Sequence, residues 1–348
     1  MLVIRPAETN DLSDLLEMAA RSGSGLTTLP NDRQSLLEKI QLSELAFVAE
    51  DALEQKYSYL LVLHDTETDK VVGTAGIISG VGLDRPFYSY RILQITQASI
   101  EPQLRVDTSM LQLSNDYVGA MEIATLYLDE SYRSGYLGRF LARSRYLLIA
   151  ANKDRFPDKV ISEVRGWVDE HNQSPFWDAV GRHFFDMDFS EADQINGQGN
   201  SQFISDLMPK FPIYTALLPE KAQAVIGKPH DNARGAIHLL EAEGFMFAGA
   251  VDIFDAGPAL EARRDNLKTI SGSVRGVFAG AVTGNPKEAS HMVSNCRLDG
   301  YRCVMSHLVE TDSGLWLPEA AASALKVEVG DELNYVALPG KQKTEVPK

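Results

Sequence analysis

Residues 122–150 read EIATLYLDESYRSGYLGRFLARSRYLLIA, and this stretch decides the fold. Ile123 to Leu128 form an apolar run that reads as a strand. Asp129, Glu130, Arg133 and Gly135 then make a polar turn. After it, Leu141, Tyr146, Leu148 and Ile149 fall on the apolar positions of a helix. VISEVRG (160–166) reads as the next strand. The unit is strand–loop–helix–strand, with glycines and arginines at the helix start. Glycines there let consecutive backbone N–H groups converge on an anion, and the helix dipole adds favourable partial charge. Arg133-Ser-Gly135-Tyr-Leu-Gly138-Arg139 is therefore a candidate pyrophosphate cradle, to which Arg133 and Arg139 could add charged hydrogen bonds. An ordinary helix start with solvated arginines would read the same way. The run has neither the GxGxxG of dinucleotide sites nor the Gly-Lys-Ser/Thr of a phosphate loop.

Before this unit, Leu2 to Ile4 read as a short buried strand. Asn10 or Asp11 can cap a helix carrying Leu12, Leu15, Leu16 and Ala19 at helical spacing. SGSGLTTLP (22–30) is a turn, and Leu36, Leu37 and Ile40 restart a helix. Strand signals follow at AFVAE (46–50), YLLVLHD (59–65) and VVGTAGIISG (71–80), the last two joined as a hairpin through TETDK. Beyond the unit, SPFWDAVGRHFFDMDF (174–189) and NARGAIHLLEAEGFMFAGAVDIF (232–254) each read as helix, glycine, paired aromatics and strand. They echo each other loosely, as an internal duplication would. Past residue 270 the pattern turns to short β runs: VRGVFAG, RCVMSHLVET, LWLP and ELNYVALP. The expected organisation is a region over 1–270 and a small β-rich domain over 271–348 ending in a polar, frayed tail.

The chain of 348 residues is long enough to bury a core without staples. Hydrophobic residues at 44% and charged residues at 23% exclude global disorder. The net charge of −15 argues against a phosphate-backbone binder, since that affinity comes from Lys and Arg. It favours a cationic substrate. The two cysteines, Cys296 and Cys303, exclude a disulfide scaffold and suit a reducing cytoplasm. The charged start MLVIRPAETNDL is not a secretory signal, and no apolar run approaches a membrane span.

The cradle resembles the acyl-CoA pyrophosphate loop of the GNAT N-acyltransferases, with its first glycine one place early and Tyr136 in the usual glycine position. VIRPAETNDLSDLLEMA also resembles the opening of that superfamily, and Asn232-Ala233 through Gly244-Phe245 its late helix. The runs SGSGLTTLP, KVVGTAGIISGVGL, RPFYSYR, EVRGWVDEHNQSPFWDAVGRHFF, LMPKFPIY, VIGKPH and VDIFDAGPALEA are similar, in order, to those of the arginine N-succinyltransferase family. The resemblance implies an α+β GNAT-like acyltransferase core, a mixed and mostly antiparallel sheet with flanking helices. It also implies succinyl transfer from succinyl-CoA, a co-substrate and no permanent cofactor, to the α-amine of L-arginine. The same fold could serve ornithine, another amine or another acyl group, or a noncatalytic acyl-CoA-binding subunit of a hetero-oligomer. A homo- or hetero-oligomer in the cytoplasm is expected, with no nucleic-acid or membrane partner.

The resemblance places the proton donor on the histidine of Val-Ile-Gly-x-x-His, His230. An imidazole with an unperturbed pKa of ~6.5 suits that task. From the residues alone, His230 also reads as a surface histidine beside a helix cap. The resemblance places the acyl-CoA contact at Leu126, with Leu128 a weaker candidate. A leucine offers only its backbone N–H, which can act as an oxyanion donor. Arg91 is the candidate for the succinyl carboxylate. Asp252, Asp255, Asp169 and Glu170 are open candidates for the guanidinium. His183 is expected to be packed in a core, His171 sits in a polar turn, and His64, His238 and His307 look structural or solvated. His291, Cys296, Cys303 and His307 have ligand-type side chains but not zinc spacing, so no metal is expected.

Overall fold

The apolar patterning of the first eighty residues folds as a strand, two helices and a hairpin. The computed structural model describes residues 1–22, 26, 28–50, 55–197, 207–283 and 288–339. Residues 23–25 and 27 of the turn expected over 22–30, and the polar tail from residue 340, lie outside the described residues. The chain places β1 at Leu2–Pro6, α1 at Leu12–Ser22, α2 at Arg33–Val48, β2 at Tyr57–Asp65 and β3 at Lys70–Ser79. α1 buries Leu12, Leu15, Met18 and Ala19, one stripe at helical spacing. Asp11 accepts the Glu8 N–H (2.8 Å) and holds Arg5 of β1 in a buried two-point pair at 2.7 and 2.8 Å. The strand expected at 46–50 is instead the end of α2. Ala46 and Phe47 extend the buried stripe of Leu36, Ile40 and Ser43, so helical periodicity outweighs a locally strand-like run. The hairpin of β2 and β3 forms as expected, closing at Asp65↔Lys70.

β4 (Ser89–Ser99) and β5 (Leu104–Ser114) make a long antiparallel hairpin. It is mostly exposed and polar, so no apolar alternation announces it. β6 (Met121–Leu128), α3 (Leu137–Ala151) and β7 (Lys159–Glu163) are the strand–helix–strand unit, with β6 and β7 parallel. Next come α4 (Pro175–Ala179), α5 (Arg182–Phe185) and α6 (Phe189–Gly197). The strand expected after the paired aromatics is absent there: left-handed Asp186 ends α5 and a helix follows. Trp177 explains the aromatic run, because its fully buried indole stacks between Phe185 (5.3 Å) and Phe254 (5.6 Å). β8 (Ile213–Tyr214) borders β5. The later segment does run helix (Arg234–Glu243), left-handed Gly244, then strand β9 (Met246–Val251), followed by β10 (Pro258–Arg263).

The C-terminal strands are β11 (Val274–Val282), β12 (His291–Asn295), β13 (Cys303–Ser306), β14 (Val309–Thr311), β15 (Gly314–Pro318) and β16 (Glu332–Ala337), with a helix at Glu319–Leu325. They continue the main sheet, because β13 pairs with β1 at Val3↔Val304 and Ile4↔Cys303. The strand order is β14-β15-β11-β16-β12-β13-β1-β2-β3-β6-β7-β10-β9-β4-β5-β8. Among the described residues β6–β7 and β11–β15 are the parallel neighbours, so the sheet is mixed, mostly antiparallel and flanked by helices. Met292, Tyr301 and Cys303 share one core with Tyr146 and Leu147 of α3, and the Tyr301 hydroxyl donates to the Ser144 carbonyl (2.8 Å). The C-terminal strands thus buttress the helix that carries the candidate cradle. Among the described residues no helix is long and apolar enough to cross a membrane.

Candidate active site

The site starts from an irregularity in β6. This strand pairs with β3 at Gly76↔Ala124 and again at Thr74↔Tyr127, so Thr125 and Leu126 together face Ala75. That is a β-bulge, and Thr125 within it takes φ +53°, a left-handed conformation uncommon for a β-branched residue. Gly76 makes room for it, since a Cβ there would lie 2.8 Å from Thr125 Oγ1. Arg145 of α3 fixes the bulge from behind. Its guanidinium, only 2% exposed and with no ion pair among the described residues, donates to the Ala124 carbonyl (3.0 Å) and the Gly76 carbonyl (3.4 Å). β6 then parts from β7. The two pair at Met121↔Val160 and Glu122↔Ile161, and Ser162 Oγ donates to the Ile123 carbonyl (2.8 Å). Past that point a cleft opens between the C-terminal ends of the parallel strands.

Leu126 lies on the β6 wall of this cleft, half-buried against the main core, and Leu128 is buried near the strand end. The loop beyond returns to β6 through Arg133, whose Nε donates to the Leu128 carbonyl (2.8 Å) and whose guanidinium lies 5.5 Å from the Tyr127 ring. Gly135 takes φ +60°, which turns the chain into α3. The start of α3 has no side-chain cap and no acid in its first turn. The first intrahelical bond runs from Phe140 N–H to the Tyr136 carbonyl (2.9 Å), so the N–H groups of Gly138 and Arg139 point out of the helix end. A Cβ on Gly138 would meet only Leu128 Cδ2, at 4.0 Å. Arg139 is exposed, 6.0 Å from the Tyr136 ring. The four cradle residues are thus together at one open, positively polarised helix start.

Beyond β7 the chain continues through Arg165 and Gly166. His230 N–H donates to the Arg165 carbonyl (2.9 Å), and Pro229 bridges Gly166. His230 is therefore anchored to the chain just beyond β7. Its Nδ1 accepts the Asn232 N–H (3.1 Å), so the neutral ring carries its proton on Nε2. Burial, then the nearby Arg165 charge, lower its pKa against the pull of Asp231. His230 therefore presents a neutral Nε2–H donor near pH 7.

Three acids gather beside the β6–β7 strand pair, Glu122 buried and Glu163 and Asp252 half-buried. A cavity of about 200 Å³ is lined by Glu122 of β6, Glu163 at the end of β7, and Asp252 after β9. Burial is the first cause that raises all three pKa values, Glu122 to about 7 and Glu163 well above the ordinary range. Asp255 does not line the cavity. It accepts from the Gly166 N–H (2.7 Å) and the Gly257 N–H (2.8 Å), tying the β7 extension to the loop before β10. Asp169 caps its own turn at His171 N–H and Gln173 N–H, and Glu170 is exposed. Of the four acids open on sequence, Asp252 is the one facing this cavity. Sequence reasoning misses Glu122 and Glu163, although an acid inside an otherwise apolar central strand is a usable signal.

Arg91 does not join the site. Its guanidinium is committed to Asp116 (2.9 Å), Glu261 (3.0 Å) and the Ala248 carbonyl (3.1 Å), and it sits over Tyr117. A cation so satisfied is a strand-to-strand clamp rather than a free carboxylate receptor. His183 is exposed, not packed in a core, because α5 turns Phe185 inward and leaves His183 and Phe184 outside. His171 is exposed beside Glu170, His64 pairs with Asp69 (3.0 Å), and His238 is exposed. Among the described residues no group of three His, Cys, Asp or Glu is disposed to hold a metal ion.

A bulged strand parting from its parallel neighbour, an uncapped helix start below it and a neutral imidazole donor just beyond that neighbour define an N-acyltransferase fold. The chain belongs to the arginine N-succinyltransferase family. Residues 2–269 match the family model described as arginine N-succinyltransferase beta subunit, and residues 278–337 match the model for the C-terminal domain of that beta subunit. The arginine N-succinyltransferase of Yersinia enterocolitica is 39% identical over 339 residues, 97% of this chain and 98% of that one. The arginine N-succinyltransferase subunit beta of Pseudomonas aeruginosa is 40% identical over 342 residues, 98% of this chain and 100% of that one. The solved structure of the arginine/ornithine succinyltransferase subunit AI from Pseudomonas aeruginosa superposes with a TM-score of 0.87 at 33% identity, covering 97% of this chain and 98% of its own.

Two expectations follow from the geometry. Gly76→Ala should force the bulge to shift, lowering stability by about 1–3 kcal/mol and weakening CoA binding; unfolding curves and calorimetry with CoA that both match the wild type would mean the bulge does not depend on Gly76. The second concerns Glu163. A carboxyl whose folded pKa is raised binds its proton more tightly when folded, so its cost is absent below the unfolded pKa and grows as pH rises above it. Glu163→Gln should therefore raise Tm at pH 8, by roughly 1–2 °C per kcal/mol of repulsion removed, and leave it nearly unchanged at pH 5. An equal shift at both pH values would assign the effect to packing instead of charge.

Proposed function

We propose that this chain transfers the succinyl group of succinyl-CoA to the α-amine of L-arginine, yielding N2-succinyl-L-arginine and CoA. The observation that carries the reading is the bulge in β6 beside the parallel β7, with His230 held to the chain just beyond β7, in a member of this family. The pyrophosphate would rest on the N–H groups of Gly138 and Arg139, with Arg139 adding charge and Arg133 and Gly135 setting the loop. The thioester carbonyl would lie along the β6 edge, where backbone N–H groups at Leu126, and secondarily Leu128, can hold an oxyanion. The amine attacks the carbonyl carbon, the C–S bond breaks, the amine loses a proton and the thiolate gains one. The ammonium formed by the attack supplies the proton that the thiolate takes, and His230, with its proton on Nε2, would donate a hydrogen bond that steadies the departing thiolate.

Attack is direct, without an acyl-enzyme. Burial pushes the Cys296 thiol up to about 11 and the Cys303 thiol up to about 12, so neither is a thiolate near neutral pH. Both lie in the C-terminal strand region, which supports α3 and stands outside the chemistry. In this reading residues 1–270 carry the transferase site, residues 271–348 brace it, and the enzyme works in the cytoplasm as an oligomer with itself or a related chain. Ornithine is the alternative amine, because the solved relative is named for both amino acids. A noncatalytic acyl-CoA-binding subunit is the rival from another class.

Turnover by the purified single chain separates an enzyme from a noncatalytic subunit. In that assay His230→Ala should lower kcat by roughly 10²–10⁴-fold with little change in either KM, because the loss is confined to the transition state. Near-normal kcat would remove His230 from the mechanism, and absence of thiol release from succinyl-CoA with any amino acid would remove the transferase reading.

A further inference from the structure

The acid-lined cavity beside the cleft is not accounted for by acyl transfer alone. Glu122 is 7% exposed and lines the cavity, and its carboxylate has neither a hydrogen bond nor an ion pair among the described residues. Its compensation is electrostatic, from Lys39 and from Lys56, which itself pairs with Asp84 at the rim (3.0 Å). Glu163 has no such compensation. Its Oε1 is fully buried without a hydrogen-bond partner, and the charges acting most on it are those of Asp252, Glu122 and Asp255, all negative. Asp252 spends one oxygen on the Phe254 and Asp255 N–H groups (2.7 and 2.9 Å). A buried acceptor with no donor is costly, and a buried carboxylate facing other carboxylates is more so. The walls next to the acids are apolar and aromatic, including Ile78, Phe87, Tyr88 and Phe254, and the two cations on the lining, Lys56 and Arg85, are solvent-exposed. The walls would suit methylenes or a flat cation. Three acids beside apolar and aromatic walls suit an extended organic cation, whose charge the acids can pair and whose methylenes the walls can cover.

Position connects this cavity to the reaction. Glu163 lies two residues before Arg165, whose carbonyl anchors His230, about 7 Å along an extended chain. Glu122 lies three residues before the bulge at Thr125, about 10 Å. An extended basic side chain covers that span. We propose that Glu163, with Asp252 and Glu122, forms the subsite for the side-chain cation of the acceptor amino acid and so determines its specificity. This rests on the transferase reading above, and it places the acceptor's α-amine at the cleft while its guanidinium or ammonium group occupies the acid cavity. The guanidinium fits better than an ammonium, because its planar fork can donate to two carboxylates at once.

The test compares L-arginine with L-citrulline, which has nearly the same shape and no side-chain charge. The wild type should prefer arginine in kcat/KM by at least roughly tenfold to a hundredfold, since citrulline leaves the acids unpaired. Glu163→Gln should reduce that preference at least about tenfold through the KM for arginine, while the KM for succinyl-CoA stays within about twofold. Asp252→Asn is the second variant and should move the ratio in the same direction. An arginine-to-citrulline ratio unchanged in both folded variants overturns the subsite. If the wild type turns over neither amino acid, the transferase reading fails on its own, and the ratio is read instead from calorimetric binding of the same two amino acids. Loss of arginine binding in Glu163→Gln then upholds the cation subsite, and unchanged binding overturns it.

Discussion

Arg145 is a fully buried cation with no carboxylate paired to it among the described residues, and the shape of the bulge depends on where its donors go. Its Nε donates to the Ala142 carbonyl within α3, and Nη1 reaches the carbonyls of Gly76 and Ala124, the β3–β6 pair that borders the bulge. A buried guanidinium must satisfy its N–H groups, so the strand carbonyls are held where α3 places the charge. α3 is itself fixed by the C-terminal strands through the Tyr301 hydroxyl and the shared core. The same helix presents its uncapped start at the mouth of the cleft. One element therefore sets both the bulge in β6 and the anion site below it.

The second constraint is the parallel register of β6 and β7. Pairing at Glu122↔Ile161 sets Glu122 close to Glu163, and the turn after β9 adds Asp252. Like charges gathered at low exposure destabilise a ligand-free protein, which is the sense in which strained features concentrate at functional sites. In the proposed reading, β6 and α3 offer backbone donors to an anionic, thioester-bearing ligand, the β7 side offers one imidazole, and Glu122 of β6 joins Glu163 and Asp252 in facing a cation.

Much of this was legible in order along the chain. The switch from a strand run to helical spacing within 122–150 identified β6 and α3, and the glycines between them marked the open helix start. His230 and Leu126 rest on the family runs; the structure shows His230 held to the chain beyond β7 and Leu126 in the β6 bulge. What the sequence could not show depends on partners distant in the chain. The bulge at Thr125 needs Gly76 from another strand and Arg145 from the following helix. Arg91 reads as a free cation until Glu261 and Asp116 are folded onto it. Glu122 and Glu163 look like single acids in separate strands and meet only through the β6–β7 register. AFVAE misleads because five residues carry strand preference while the sixteen of α2 carry the period that wins.

The central claim is that CoA binds between the end of β6 and the start of α3. Backbone hydrogen–deuterium exchange, with and without CoA or a non-transferable succinyl-CoA analogue, tests it most directly. Binding there predicts new protection at residues 125–128 and at 137–139, with little change in the β4–β5 hairpin. Protection that falls elsewhere, with those two segments unaltered by saturating ligand, would contradict it.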